Sequence, residues 1–100
     1  MDNDVYISIV SPWEIEIKHN KFPEKIPIDS EELLKYCSQA GFSNLSIRPA
    51  HIRMLKELDQ DLRSDLFDRM IVCQAMAEDM ILITHDDKIA TFSNEHVISV

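Results

Sequence analysis

The chain has 100 residues, 45% of them hydrophobic and 28% charged, which is an ordinary balance for one small globular domain and does not indicate disorder. Its formal net charge of −8 provides no overall attraction for nucleic acid. Any nucleic-acid chemistry would therefore need a local basic patch or bound cations.

The chain begins with a predicted strand and a predicted helix. VYISIV, residues 5–10, is a β-branched and aromatic run that is typical of a strand. SPWEIEIKHN predicts a helix with Ser11 as N-cap, Pro12 at the first helical position and Glu14 completing a capping box. Trp13 is expected to lie in the core.

A second helix, a strand and a short helix complete the first part of the chain. DSEELLKYCSQAGF follows the proline-containing loop KFPEKIPID and predicts a helix, with Gly41 at the position after its C-cap. NLSIRP predicts a short strand that ends at Pro49. AHIRMLKEL predicts a short helix with Ile52, Leu55 and Leu58 facing inward.

The second part of the chain carries the strongest helical pattern. DLFDRMIVCQAMAED predicts a helix capped by Asp65, whose helical spacing includes Leu66, Met70, Cys73 and Ala77. MILIT is a continuous apolar run that predicts a buried strand, HDDKIATF predicts a turn and short helix, and HVISV predicts a last strand. This alternation predicts a three-layer α/β/α fold with a mainly parallel sheet, as one domain over residues 1–100.

The cysteines and the N-terminus predict where the protein is found. Cys37 and Cys73 match no zinc spacing and suit a reducing cytosol, where they act as small core residues. No apolar run approaches the ~18 residues of a membrane span. MDNDVYISIV lacks the features of a signal peptide, so we expect a cytoplasmic protein without a membrane segment.

Three acidic residues follow the predicted strands or open a predicted helix. Glu14 follows the first strand, Asp86 follows MILIT, and Asp68 lies in the first turn of the strongest helix. Ligands of parallel α/β sheets bind at the carboxyl ends of strands. Carboxylates ~5 Å apart repel by roughly 3 kcal/mol per pair at an effective dielectric of 20. A hard cation such as Mg²⁺ or Mn²⁺ offsets that repulsion and supports phosphodiester hydrolysis.

Each of these acids also has a purely structural interpretation. Glu14 can serve as a capping-box residue, and Asp68 can stabilise a helix N-terminus. Asp86 or Asp87 can cap the short helix after MILIT. Among neighbouring residues, Lys18 is spaced for an ion pair with Glu14 or for contact with phosphate. Arg69 can be a surface or ion-pair residue or a substrate clamp, and Arg63 is a candidate to face the same edge. His85, next to Asp86, can be structural or catalytic.

Two blocks of this sequence resemble the PIN-domain family, specifically toxins of the VapC type. VYISIVSPWEIEIKHNK is similar to the S-x-x-S-x-W-E-I-x-I-K block of those proteins. RSDLFDRMIVCQAMAEDMILITHDDKI is similar to their R-D-P-F-D-R-x-x-I-A-Q-A helix and the following strand that ends in T-x-D. The resemblance covers nearly the whole chain, in the family's order and spacing.

The resemblance implies an Mg²⁺- or Mn²⁺-dependent endoribonuclease, a hydrolase that is usually the toxin of a toxin–antitoxin pair. It implies Glu14, Asp68 and Asp86 as catalytic metal ligands, with Asp65 as an auxiliary ligand. Ser11 matches the serine beside the site, and Lys18 and Arg69 are candidate RNA contacts. Leu66 stands where the family usually has proline. The implied partners are RNA, an antitoxin protein and a second copy in a homodimer.

One departure from the family pattern favours a different function. The family begins with a central strand that ends in an aspartate, and this chain begins at the next strand, so we expect an N-terminally truncated PIN-like domain. Loss of that strand would leave two strand edges unpaired. The alternative function is therefore a non-catalytic binding module that engages an antitoxin or its own twin, with the acids acting only as caps.

Overall fold

The computed structural model describes residues 4–58, 66–84 and 96–99, and the chain divides into two compact units, Met1–Ser46 and Ile47–Val100. The described elements of the first unit are β1 (Tyr6–Ser8), α1 (Val10–Lys21), α2 (Ser30–Gln39) and β2 (Ser43–Leu45). Those of the second unit are α3 (Pro49–Arg53), a 3₁₀ turn (Met54–Glu57), α4 (Leu66–Ala77), β3 (Leu82–Thr84) and β4 (Val97–Ser99). The single domain over residues 1–100 stays a prediction.

All four described strands pair in parallel, which confirms the predicted α/β class. In the first unit β1 pairs with β2, with Tyr6 opposite Ser43. In the second unit β3 pairs with β4, with Leu82 opposite Val97. Among the described residues each sheet has two strands. Parallel strands require a crossover, and in the first unit α1 and α2 supply it.

The predicted capping box at the start of α1 is wrong. The helix begins at Val10, one residue before Ser11, and the apolar residue Ile9 occupies the N-cap position. The hydroxyl of Ser8 accepts a hydrogen bond from the Val10 N–H at 3.1 Å. A serine nearer the strand thus supplies the first acceptor, and Glu14 falls beyond the capping turn.

The ends of α2 follow their local sequence signals. The side chain of Asp29 accepts a hydrogen bond from the Glu32 N–H at 2.9 Å and caps the N-terminus. At the other end, the N–H of Gly41 donates to the Ser38 carbonyl, and the N–H of Phe42 donates to the Cys37 carbonyl. This pair of bonds is a Schellman motif, and the φ of +86° at Gly41 confirms the predicted glycine cap.

Helix α4 supplies most of the core of the second unit. Val72 and Cys73 on α4 are fully buried, and Leu58 after the 3₁₀ turn is 8% exposed. Burying a valine side chain contributes about 1.5–3 kcal/mol. Leu66 and Ile52 follow the predicted helical spacing, yet they are 64% and 54% exposed. The inward orientation predicted for Ile52 is therefore wrong.

The exposure of Trp13 corrects a further prediction. Its side chain is 51% exposed rather than part of the core. Helix α1 packs mainly against α2 and β1, and its buried positions are Val10 and Pro12. The remaining faces of the helix therefore leave a large aromatic side chain partly in solvent.

Within the described parts of the chain, none of the helices combines the length and the apolar character that crossing a bilayer requires.

Candidate active site

Glu14 lies in the first unit, on the fifth residue of α1. Its Oε2 atom is 3.0 Å from the Nζ atom of Lys18, one helical turn later, and its side chain is 22% exposed. The predicted ion pair between these residues is confirmed. Because the helix starts at Val10, the carboxylate of Glu14 is not needed as a cap. Glu14 therefore presents a partly accessible carboxylate with the ammonium group of Lys18 beside it.

Ser11 lies in the first turn of the same helix and is partly buried. Its hydroxyl does not occupy the N-cap position that the sequence predicted, because Ile9 holds that position. The role of Ser11 beside the site stays a prediction.

Glu16, on the same helix, has a structural role. Its Oε1 atom accepts hydrogen bonds from the Ser30 hydroxyl at 2.7 Å and from the Ser30 N–H at 3.0 Å. These bonds lower the pKa of the Glu16 carboxyl, with the hydroxyl bond as the largest cause. Glu16 thereby ties α1 to the first residue of α2 and fixes the helix that carries Glu14.

Asp68 lies in the second unit, in the first turn of α4, as predicted. Its side chain is only 5% exposed. A carboxylate at a helix N-terminus is favoured by the helix dipole, but burial of its charge is costly. Arg69, the next residue, is partly buried. Its proposed contact with RNA stays a prediction.

The remaining predicted ligands, Asp65 and Asp86, lie outside the described residues, as do Arg63 and His85. Within residues 4–58, 66–84 and 96–99, no group of three or more His, Cys, Asp or Glu side chains is placed to hold a metal ion. The convergence of three acids on one cation therefore stays a prediction. The two described candidates, Glu14 and Asp68, offer the carboxylate oxygens that Mg²⁺ and Mn²⁺ prefer.

The cysteines are core residues, as the sequence predicted. Both Cys37 and Cys73 are free thiols and both are buried. Burial raises the pKa of Cys73 to about 11, and the charge of Arg69 opposes this shift to a smaller degree. A thiol with this pKa is almost entirely protonated near neutral pH, so Cys73 is not suited to be a nucleophile.

A buried histidine was missed by the sequence reasoning. His51 is fully buried, its Nδ1 atom is 3.0 Å from the Arg48 N–H, and its Nε2 atom is 2.7 Å from Oε2 of Glu78. Both ring nitrogens are thus engaged, which makes His51 a structural residue of the second unit. No spacing signal connects it to Glu78, since the two residues lie 27 positions apart.

We compared the chain with models of known protein families, with curated proteins and with solved structures. A family model described as PIN domain matches residues 1–94. The chain belongs to the PIN-domain family. No curated protein and no solved structure matches the chain. PIN domains are in general nucleases that depend on divalent metal ions, and this membership agrees with the parallel α/β fold.

Proposed function

We propose that this PIN domain is an Mg²⁺- or Mn²⁺-dependent endoribonuclease of the VapC toxin type. Glu14, Asp68 and Asp86 would hold the cation, and Asp65 would assist them. The observation that carries the proposal is the PIN match over residues 1–94, which includes every one of these acids. When bound, the cation activates water and neutralises charge that develops on phosphorus.

The described residues support distinct roles for the site. Glu14 presents a partly accessible carboxylate, and the adjacent ammonium of Lys18 would meet an RNA phosphate next to it. Asp68 presents a carboxylate held in the first turn of a well-packed helix, which limits its movement. Ser11 and Arg69, each adjoining this machinery in sequence, are the proposed further contacts to the RNA backbone.

An Asp68→Asn variant tests the nuclease proposal. We expect the wild-type protein to cleave single-stranded RNA with Mg²⁺ and to stop when the metal is chelated. Loss of a residue that only hydrogen-bonds to a metal ligand typically lowers metal affinity or activity about 10- to 100-fold. Loss of Asp68, as a direct ligand, should therefore lower cleavage by at least about 100-fold. Asp79→Asn is the matched control, because Asp79 lies just after α4, is 95% exposed and has a φ of 55°, which asparagine tolerates.

The two variants also distinguish a fold defect from a lost ligand. Far-UV circular dichroism should give both the wild-type helix content. Equal cleavage by the wild type and Asp68→Asn would remove Asp68 from the site. Equal loss in both variants would mean that negative charge near α4 matters, rather than a specific ligand.

A second function, a non-catalytic binding module, is favoured by the edge of β1. Among the described residues β1 pairs with β2 alone, and Val5 and Tyr6 at its start are 48% and 42% exposed. An open strand edge is suited to pair with an added strand. The partner would be an antitoxin or a second copy in a homodimer.

Titration with Mg²⁺, followed by NMR, separates the two functions. Shifts concentrated at Glu14, Asp68 and Asp86 would support the nuclease, and their absence would support the binding module. Light scattering on the purified chain tests the homodimer directly.

The two buried free thiols support the proposed cytoplasmic location.

A further inference from the structure

We propose that the last residue of α1 and the turn that follows it, residues 21–25, form a contact surface for single-stranded RNA. Lys21 and Lys25 would meet phosphates, and the Phe22 ring would stack on a base. This inference rests on the proposed function, since RNA is the substrate class of that function. We name this surface the Lys21–Lys25 turn.

Backbone hydrogen bonds hold the Lys21–Lys25 turn in a defined shape. The Phe22 N–H donates to the Lys18 carbonyl at 2.8 Å. The Phe22 carbonyl in turn accepts from the N–H groups of Lys25 and Ile26, at 3.0 and 2.9 Å. Nδ1 of His19 lies 2.7 Å from the Ile26 carbonyl and fastens the end of the turn to the helix. The surface is therefore largely preorganised, which lowers the entropy cost of binding.

The side chains of this turn form a concave surface of suitable size. A pocket of about 300 Å³ is lined by Lys21, Phe22, Pro23, Glu24 and Lys25. This volume is at the lower end of the range for small-molecule sites. The Phe22 side chain is 53% exposed, and the ammonium of Lys25 lies 5.7 Å from its ring centroid. An accessible aromatic ring next to cations is the usual combination in sites for single-stranded nucleic acid.

The charge of this segment is opposite to that of the rest of the chain. Residues 21–25 contain two lysines and one glutamate, a formal charge of +1, which leaves −9 for the other residues. Lys18 is paired with Glu14. Among the described residues no ion pair neutralises Lys21 or Lys25. An acidic protein binds a polyanion only through such a local patch, and this segment provides one.

Lysines near a helix C-terminus also have a structural explanation. The dipole of α1 favours positive charge in its last turn, which accounts for Lys18, His19 and Lys21. It does not account for Lys25, which lies beyond the helix and over the Phe22 ring. The two explanations differ in what they predict: a dipole role alters the stability of the protein, whereas a contact role alters its affinity for RNA.

The chain offers a closely matched pair of variants for the test. Lys21→Gln/Phe22→Leu removes an adjacent lysine and aromatic from the turn. Lys35→Gln/Tyr36→Leu removes the same pair of residue types from α2, where Tyr36 is 55% exposed against 53% for Phe22. A third variant, Lys21→Gln/Lys25→Gln, removes both turn lysines and leaves the ring in place.

Binding is measured by fluorescence anisotropy with a fluorescein-labelled single-stranded RNA of mixed sequence, in EDTA so that no cleavage occurs. We expect the Lys21/Phe22 variant to bind about 10-fold or more weakly, and the Lys35/Tyr36 variant to bind within about twofold of the wild type. For the Lys21/Lys25 variant, the slope of log affinity against log salt should become less steep by about 1.4, because each lysine contact with a single strand contributes about 0.7.

Three results would overturn the inference: absence of RNA binding by the wild type, equal affinity of the turn variant and the wild type, or equal weakening by the α2 control. The cleavage assay with Asp68→Asn is independent of these measurements. Normal RNA binding without Mg²⁺-dependent cleavage would contradict the nuclease proposal but not the RNA contact at the Lys21–Lys25 turn. Mg²⁺-dependent cleavage by the wild type, together with normal RNA binding by the turn variant, would contradict the RNA contact but not the nuclease proposal.

Discussion

The Nε2 atom of His51 lies 2.7 Å from the Oε2 atom of Glu78 and joins α3 to the turn after α4. The other ring nitrogen, Nδ1, accepts the Arg48 N–H, so the neutral imidazole carries its proton on Nε2 and donates it to Glu78. Arg48 lies 3.9 Å from the same carboxylate oxygen. The buried His51 ring thus links the N-terminus of α3 to the Glu78 carboxylate within the second unit.

This relationship predicts a pH dependence of stability. The hydrogen bond from His51 is the main cause that lowers the pKa of Glu78 from its ordinary value of 4.5, and the charge of Arg48 adds to it. Because the folded pKa is below the unfolded one, the contribution of Glu78 is complete above about pH 4.5 and is lost as pH falls through the folded pKa. The wild type should therefore have a larger free energy of unfolding than Glu78→Gln above about pH 4.5, and this difference should shrink as the pH falls through the folded pKa of Glu78.

Urea unfolding from about pH 7 down to about pH 3 measures this difference in the free energy of unfolding. Glu57→Gln, a change at an exposed glutamate of the same unit, is the control. Its curve should run parallel to that of the wild type. A constant gap between wild type and Glu78→Gln at all pH values would contradict the assigned role.

A Glu14→Gln variant tests whether this residue is a cap or a ligand. The structure places Glu14 beyond the capping turn, in an i, i+4 ion pair with Lys18. The Lys18 side chain is 52% exposed. Such pairs contribute about 0.3–0.5 kcal/mol, so thermal unfolding should change little. Mg²⁺-dependent RNA cleavage should be lost. A destabilisation of about 1–2 kcal/mol, typical of a lost cap, together with unchanged cleavage would reverse the assignment.

Gly41→Ala tests the end of α2. The φ of +86° strains any residue with a Cβ, while an added Cβ would meet no atom within 4 Å. The cost should therefore come from the backbone alone and be about 1 kcal/mol in the free energy of unfolding. Gln39→Ala, at the last helical residue, should be nearly neutral. A neutral Gly41→Ala variant would mean that the Schellman motif does not form.

Cys73 provides a chemical test of the core. Its pKa of about 11 and its complete burial predict very slow alkylation by iodoacetamide near pH 8 in the native protein. Mass spectrometry after a timed reaction reads out the label. Both cysteines should react rapidly once urea unfolds the chain, which serves as the control. Rapid native labelling of Cys73 would show that α4 is not packed as described.

Local signals in the sequence were the most dependable. Asp29 and Gly41 act through neighbouring backbone groups, so their residue types and spacing were enough to predict the ends of α2. The start of α1 was predicted wrongly although it carried an equally clear pattern. There Ser8 competes with Ser11 as the first acceptor, and the chain becomes helical at Val10 before the expected cap is reached.

Side-chain burial was harder to predict, because periodicity identifies a face without identifying what covers it. Trp13 and Ile52 have core-like residue types, yet each lies on a face that its unit leaves partly open. His51 and Glu78 could not be linked from sequence, because their contact depends on the packing of α3 against α4. For the candidate site, sequence reasoning placed Asp68 correctly in the first turn of α4. The joint geometry of the acids stays a prediction.

The contact between Glu16 and Ser30 has a consequence for the order of folding. It spans 14 positions of the chain, whereas the pairing of Tyr6 with Ser43 spans 37. Nearby contacts form sooner because they close shorter loops, so we expect the two helices to associate before the strands do. In stopped-flow experiments Ser30→Ala should mainly slow refolding, and Leu45→Ala should mainly accelerate unfolding. The opposite assignment of these rates would mean that the strand pair is the nucleus.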